Sequence, residues 1–274
     1  MSIEFVSFAL GSEKSGKELL NAERRRAMVG SKFERSSSQR GCAARYCNRA
    51  KSLRMNSENH TDNPFSAVLL AAGAGSRLGG RPKALLQLDG APLIHRLIAA
   101  LIGAGATELV VVLGHHADAI EPVLRGRLTS KPVRIATVTN PRPDDGPATS
   151  LRLGLQSLAS SPREVMITLC DQPLINVQEV AALMHAYRQC GTAQMLVPRV
   201  AGKPGNPVVI DAALRDEWLA GDVHATGQRW RQLHPTRVHW FDSDNEHFRI
   251  DIDTSEDLAR FNQSTGQTLR WPPP

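Results

Sequence analysis

The sequence predicts a doubly wound α/β fold, three layers deep, with a mainly parallel sheet between two layers of helices. Three observations predict it. Strand-like apolar runs of about six residues alternate with helical patterns of about ten to twelve, the rhythm of βαβ crossovers. The runs are continuous rather than alternating, as strands covered on both faces are. The first run also breaks directly into a glycine-rich turn that leads toward a helical pattern.

Ser66–Ala72 (SAVLLAA) is the first strand, closed by GAGSRLGGRPK. Pro92–Gly103 has helical periodicity, Glu108–Leu113 is strand-like and Ala117–Arg125 is helical. Val133–Thr139 reads as a strand, Ala148–Ala159 as a helix, and Val165–Cys170 as a strand that ends in CDQP. Val177–Tyr187 is helical and Gln194–Val197 extended. After Pro198 the turn-rich RVAGKPGNP leads to a short VVI segment and to helical patterns at Ala212–Leu219 and Val223–Leu233. Thr236–Phe241 and His247–Ile252 read as strands that close the sheet. Thr254 or Ser255 can cap a last helix running to about Asn262, with Glu256 and Asp257 favourable in its first turn. The tail GQTLRWPPP reads as irregular, because consecutive prolines supply no donors.

The 274 residues carry a net charge of +6. Residues 1–65 hold 12 Lys/Arg against 7 Asp/Glu, which leaves 21 against 20 for the rest. The basicity therefore sits in a leader and gives no ground for nucleic-acid binding by the body. The leader has few apolar residues and no sustained period, so disorder is the expectation for 1–64, followed by one folded domain at 65–263 and an irregular tail at 264–274. Nothing in it reads as a secretory signal. No run of eighteen apolar residues occurs, which excludes a membrane helix. Cys42, Cys47, Cys170 and Cys190 lack paired metal spacing and read as reduced thiols of a cytoplasmic protein.

In open parallel sheets ligands gather beyond the carboxyl ends of the strands. Beyond the first strand lie Gly73, Gly75, Arg77, Gly79, Gly80, Arg81 and Lys83. Small residues let backbone amides turn toward phosphate, and the cations balance a polyphosphate. The segment matches neither the P-loop nor the dinucleotide fingerprint, which disfavours a dinucleotide oxidoreductase. Asp171, directly after VMITLC, is placed to hold Mg²⁺ against phosphates, hard oxygen donors suiting that ion. In an extended strand Asp251 and Asp253 would share one face, one reaching the same metal while the other caps the last helix. His115–His116 reads as a polar turn rather than a ligand pair, and His224, His234 and His239 have no zinc spacing.

These pieces, in this order, resemble the molybdenum-cofactor nucleotidyltransferase family of the glycosyltransferase-A-like nucleotidyltransferases. The resemblance spans about Phe65 to Phe261 and leaves the leader outside. LLAAGAGSRLGGRPKALLQLDGAPLI looks like the family's LAAGxGxRMGxxK…L…GxPLI, with Leu78 for its frequent methionine. NPRPDDGPATSL, from Asn140 to Leu151, looks like NP…GMxxSL, with Pro147–Ala148 departing from the usual pair. CDQP looks like [GC]DQP, and DIDTSEDL like DIDTPEDL.

The resemblance implies a nucleotide-diphospho-sugar-transferase-like Rossmann-type fold. It implies that Ala72, Gly73, Gly75, Arg77, Lys83 and Ser150 bind the nucleotide and that Arg77, Lys83 and Asp171 are catalytic. It gives the metal to Asp171 with Asp251 or Asp253. The Ala-Ala-Gly opening and the DQP form are similar to the cytidylyl-transferring branch, which points to CTP over GTP. Asn206 stands where that branch often has histidine, near the acceptor; it hydrogen-bonds but does not titrate near neutrality. The implied reaction is Mg²⁺-dependent transfer of CMP from CTP to a phosphorylated molybdopterin, with a molybdoenzyme or its maturation chaperone as downstream partner. The alternatives are guanylyl transfer, transfer to a sugar phosphate, and nucleotide binding without catalysis.

Overall fold

The computed structural model describes residues 4–6, 64–125, 133–159, 161–221 and 227–273. Most of the basic leader, with Cys42 and Cys47, lies outside the described residues, as does the start of the expected Val223–Leu233 helix. In chain order the elements are β1 (Glu4–Val6), β2 (Phe65–Ala71), β3 (Gln87–Leu88), β4 (Ala91–Pro92), α1 (Leu93–Gly103), β5 (Ala106–Leu113) and α2 (Ala117–Arg125). Then come β6 (Arg134–Thr139), α3 (Pro147–Gln156), β7 (Glu164–Leu169), α4 (Val177–Gln189), β8 (Met195–Val200), β9 (Lys203–Pro204) and β10 (Val208–Asp211). The last are α5 (Ala212–Ala220), α6 (Gly227–Leu233), β11 (Val238–Asp242), α7 (Ser255–Thr265) and β12 (Leu269–Arg270).

The main sheet runs β1-β6-β5-β2-β7-β10-β8-β11, with β9 beside β8. β6, β5, β2 and β7 are mutually parallel, β11 is parallel to β8, and β10 runs against both its neighbours. The sheet is thus mainly parallel and three-layered, as the alternating runs predict. β2 is its centre, and its period of two divides the core. Ala67, Leu69 and Ala71 face α1 and α4, where Ile94, Leu97, Leu101, Val180 and Leu183 are buried. Val68 faces the other layer with Val110, Val112, Leu155, Leu214 and Trp230. Burial on both faces is why this strand reads as an unbroken apolar run. Leu69 is fully buried. Leu69→Ala is expected to lower the unfolding free energy by about 3 kcal/mol, through lost transfer energy and the cavity left behind, readable by urea denaturation.

A third, smaller core has a different origin. Leu78, Leu86, Leu88 and Leu93 from the first quarter of the domain pack against Ile252, Phe261 and Leu269 from its end. There β12, β3 and β4 form a separate three-stranded sheet.

Three expectations are corrected. Glu4–Val6, inside the stretch expected to be disordered, pairs antiparallel with β6, the edge strand that its short apolar run can extend. His247–Ile252 is not a strand: Glu246–Arg249 is a 3-10 helix followed by irregular chain. The segment instead packs inward, Phe248 being buried in the main core and Ile252 in the small one. The tail after residue 264 is not wholly irregular, because α7 continues to Thr265 and Leu269, buried in the small core, begins β12. Among the described residues no helix is long and apolar enough to cross a membrane.

Candidate active site

Gly75 opens the turn after β2 with φ of 63°, in the left-handed region where glycine is at ease. A Cβ there would also meet the Arg81 carbonyl at 2.1 Å. Its own carbonyl accepts from Leu78 N at 2.8 Å and Gly80 N at 2.9 Å, closing the loop on itself. Buried Leu78 anchors the loop below, while Arg77 stays 66% exposed above. The chain then turns through extended Pro82 into a short 3-10 helix that begins with Lys83.

Lys83 and Asp171 meet although 88 residues separate them. Asp171 emerges two residues beyond β7, just after Cys170, whose N still donates to Leu70 O. Lys83 Nζ donates to Asp171 Oδ2 at 3.0 Å and also to Asp253 Oδ1. Arg77 Nη2 donates to Asp253 Oδ2 at 2.9 Å. The backbone supports this convergence: Ile252 N donates to the Asp171 carbonyl at 3.0 Å. Thr254 caps α7 in a reciprocal box with Asp257, whose carboxylate also accepts from Asp253 N. The helix cap therefore places Asp253. Neither Asp251 nor Asp253 does the capping, contrary to the expectation for one of them.

Charge and burial oppose each other in this cluster. Burial pushes the Asp171 carboxyl above its usual range, and the Lys83 charge only partly offsets that. Burial also pulls on the Lys83 ammonium, but the Asp171 charge and the bonds to both aspartates more than restore it, leaving it raised. Burial would raise Asp253, yet Lys83 and Arg77 hold it below the usual value. Asp251 is raised by burial and by the charges of Asp171 and Asp253.

A cavity of about 310 Å³ opens beside the cluster, walled by Ala72, Gly73, Lys83, Gly146, Ser150 and Asp171 among others. Its far wall is the entrance to α3. Asn140, buried at the end of β6, donates to Ser150 Oγ and Thr149 Oγ1, both at 2.9 Å. That ties the first turn of α3 to the sheet and brings a helix N-terminus to the cavity, a favourable setting for anionic groups.

Of the residues singled out in the sequence, the structure thus brings together Arg77, Lys83, Asp171 and Asp253, with Ala72, Gly73 and Ser150 on the same cavity. Gly75 shapes the loop from outside the cavity wall. Asn206 stands apart from that wall, its N–H donating to Phe248 O at 2.9 Å. Sequence reasoning missed Gln172, which is 2% exposed and donates from Nε2 to the carbonyls of Asn206 and Phe248. It links the strand end that carries Asp171 to the segment that carries Asn206. The CDQP string held that signal, but it was read for its aspartate alone. His115 and His116 were also passed over; their rings sit on the carbonyls of Ala72 and Ala74.

Asp171 Oδ1 is buried and has no hydrogen-bond partner among the described residues. An orphaned carboxylate oxygen next to a second carboxylate fits a hard divalent cation. Among the described residues no three His, Cys, Asp or Glu side chains gather closely enough to hold an ion by themselves. That too fits Mg²⁺, which commonly binds one or two carboxylates and takes its remaining ligands from phosphates and water.

Comparison with known proteins gives a family match over residues 67–238, to the MobA-like NTP transferase domain. Nicotine blue oxidoreductase of Paenarthrobacter nicotinovorans is 34% identical over 209 residues, covering 73% of this chain and 98% of that protein. The bifunctional protein GlmU of Sorangium cellulosum is 29% identical over 154 residues, 56% of this chain, and the match spans only 32% of that longer protein. Among solved structures, Rv0371c from Mycobacterium tuberculosis H37Rv superimposes with a TM-score of 0.59 at 23% identity, covering 74% of this chain and 100% of that one.

Proposed function

Because the chain belongs to the MobA-like NTP transferase family and has the mainly parallel nucleotidyltransferase fold, we propose that it transfers CMP from CTP to a phosphorylated molybdopterin and releases pyrophosphate. The observation that carries this reading is the meeting of Lys83, Asp171, Asp253 and Arg77 at one end of a cavity whose other wall is a helix N-terminus. Nucleotidyl transfer belongs to the family. CTP and molybdopterin rest on the Ala-Ala-Gly opening, the DQP string and the resemblance they support.

In the proposed reaction a terminal phosphate oxygen of the acceptor attacks the α-phosphorus of CTP. A new P–O bond forms there and the bond to the pyrophosphate leaving group breaks. The attacking phosphate is largely anionic near neutrality, so the chain's work is alignment and charge neutralisation. Backbone at Ala72 and Gly73 lies against the nucleotide, and Gly75 gives the loop its turn. Arg77 and Lys83 neutralise the β- and γ-phosphates. Ser150 and the first turn of α3 present donors across the cavity. Asp171 with Asp253 or Asp251 would hold Mg²⁺, and the ion would supply charge neutralisation at the α-phosphate. Asn206, tied to Asp171's neighbour Gln172, is on the acceptor side. A cytoplasmic location goes with the free thiols of Cys170 and Cys190.

A second reading is an oxidoreductase, favoured by the identity with nicotine blue oxidoreductase across nearly all of that protein. A dinucleotide's pyrophosphate could use the same loop and helix N-terminus. One screen separates the readings. The protein is incubated with Mg²⁺, each nucleoside triphosphate and either molybdopterin or sugar phosphates, and pyrophosphate and product mass are read. CTP with molybdopterin is expected to stand out. Preference for GTP or a sugar phosphate would replace the specific substrates. In a parallel arm holding a reduced nicotinamide cofactor and a quinonoid dye as two-electron acceptor, oxidation of the cofactor with reduction of the dye, and no pyrophosphate release in the first arm, would replace the reaction.

A further inference from the structure

We infer that His115 is a positioning residue of the nucleotide cleft, a strap that ties the glycine-rich loop at Ala72 to the turn at Asp144. The inference rests on the proposed nucleotide site and adds a residue to it. Its ring lies between the two walls: Nδ1 is 3.1 Å from the Ala72 carbonyl and Nε2 is 3.0 Å from Asp144 Oδ1. Ala72 is on the near wall of the cavity. Asp144 sits in the 3-10 turn Pro143–Asp145, between Pro143 and Gly146 of the far wall.

Two further features belong to the strap. Gly114, just before His115, presses on the loop so closely that a Cβ would lie 2.5 Å from Ala72 O. Glycine is what allows the chain to bring the ring alongside. His116 then places Nε2 2.8 Å from Ala74 O, fixing a second carbonyl of the same loop. Neighbouring Arg142 is engaged with Asp145 at 3.4 Å, so the turn offers its other carboxylate to His115.

The chemistry of the two bonds is restrictive. A carbonyl and a carboxylate both only accept, so both bonds form only when the ring carries a proton on each nitrogen. Asp144 is 87% exposed, so the bridge contributes little to global stability. What it controls is the separation of the two walls.

The test is a calorimetric titration of the full chain with CTP and Mg²⁺, repeated for His115→Ala, Asp144→Ala and the double variant, with turnover at saturating CTP. Asp144→Ala is expected to bind CTP about fivefold more weakly. His115→Ala, which also loses the Ala72 bond, should bind about tenfold more weakly. The double variant should be no weaker than His115→Ala, since the strap is then already cut. Saturated turnover and melting temperature should stay near wild type. Wild-type affinity in His115→Ala, or independent losses that simply add, would overturn the strap while leaving the nucleotide site standing. A wild-type chain that binds no nucleoside triphosphate would overturn both.

Discussion

Asp171→Asn is expected to lower nucleotidyl transfer by about three orders of magnitude while the protein stays folded. The substitution keeps the shape of the side chain and removes the buried charge that Lys83 meets at 3.0 Å. It also leaves one oxygen in place of two, so the side chain can no longer serve Lys83 through one and a cation through the other, which has no partner among the described residues. The fold tolerates the change for an electrostatic reason. Asp171 has its carboxyl raised by burial, so the native state holds that proton more tightly than the unfolded chain does. Stability from such a group is present below the unfolded carboxylate value, about 3.9, and is lost as pH climbs from there through the folded value. Near neutrality the wild-type charge is therefore a burden that asparagine lifts, set against the loss of charge from the bond to Lys83. Lys83 retains Asp253. Turnover within tenfold of wild type, in a variant with a wild-type circular dichroism spectrum, would remove Asp171 from the reaction.

Lys83→Ala should damage both binding and stability. Lys83 and Asp171 are 17% and 15% exposed, and the ammonium serves two carboxylates at once. Deleting it leaves Asp171, Asp253 and Asp251 facing one another with Arg77 as the remaining cation of the cluster. Breaking a buried pair on one side costs about 3 kcal/mol. Because the folded lysine is raised, its contribution is complete below the unfolded value, about 10.4, and is lost only as pH climbs through the folded value. The wild type thus has the full benefit at pH 7. The variant's aspartates should become easier to protonate, so its deficit should narrow as pH falls into the carboxylate range. CTP affinity should fall by about a hundredfold, since a charge-assisted phosphate contact and the alignment of the carboxylates go together. Urea denaturation at several pH values and a direct CTP titration check the two halves. A deficit that widens toward acid pH would contradict the electrostatic account.

The parallel sheet was legible because its strands are buried on both faces: SAVLLAA and VMITLC leave little other use for such runs. Asp171 was legible for the same reason, as the polar residue at which a buried strand emerges. The segment HFRIDID misled because its alternation imitates a strand. Local pattern does not say that Phe248 will be buried in the main core and Ile252 in the small one, which a single strand on the sheet edge would not do. The tail misled through its prolines, although Leu269 just before them is buried. Lys83 could be proposed from its loop, but its partners lie 88 and 170 residues away. His115 was passed over because its partners are a carbonyl 43 residues upstream and a carboxylate in a separate turn. Gln172 was hidden in plain sight, since nothing local to CDQP says that an amide there will reach Phe248.

The small core that joins Leu78, Leu86 and Leu88 to Ile252, Phe261 and Leu269 has a consequence for how the protein is made. During synthesis the glycine-rich loop leaves the ribosome early, and the main sheet can form progressively as later strands follow. The loop itself must wait. Its floor arrives with Phe261 and Leu269, its counter-charge with Asp253, and the indole under the Arg81 guanidinium, 4.0 Å away, with Trp271. A nascent chain halted before residue 250 would own a sheet and a loop of cations with nothing to set them. Nucleotide capture is thereby reserved for chains whose translation has passed those last residues.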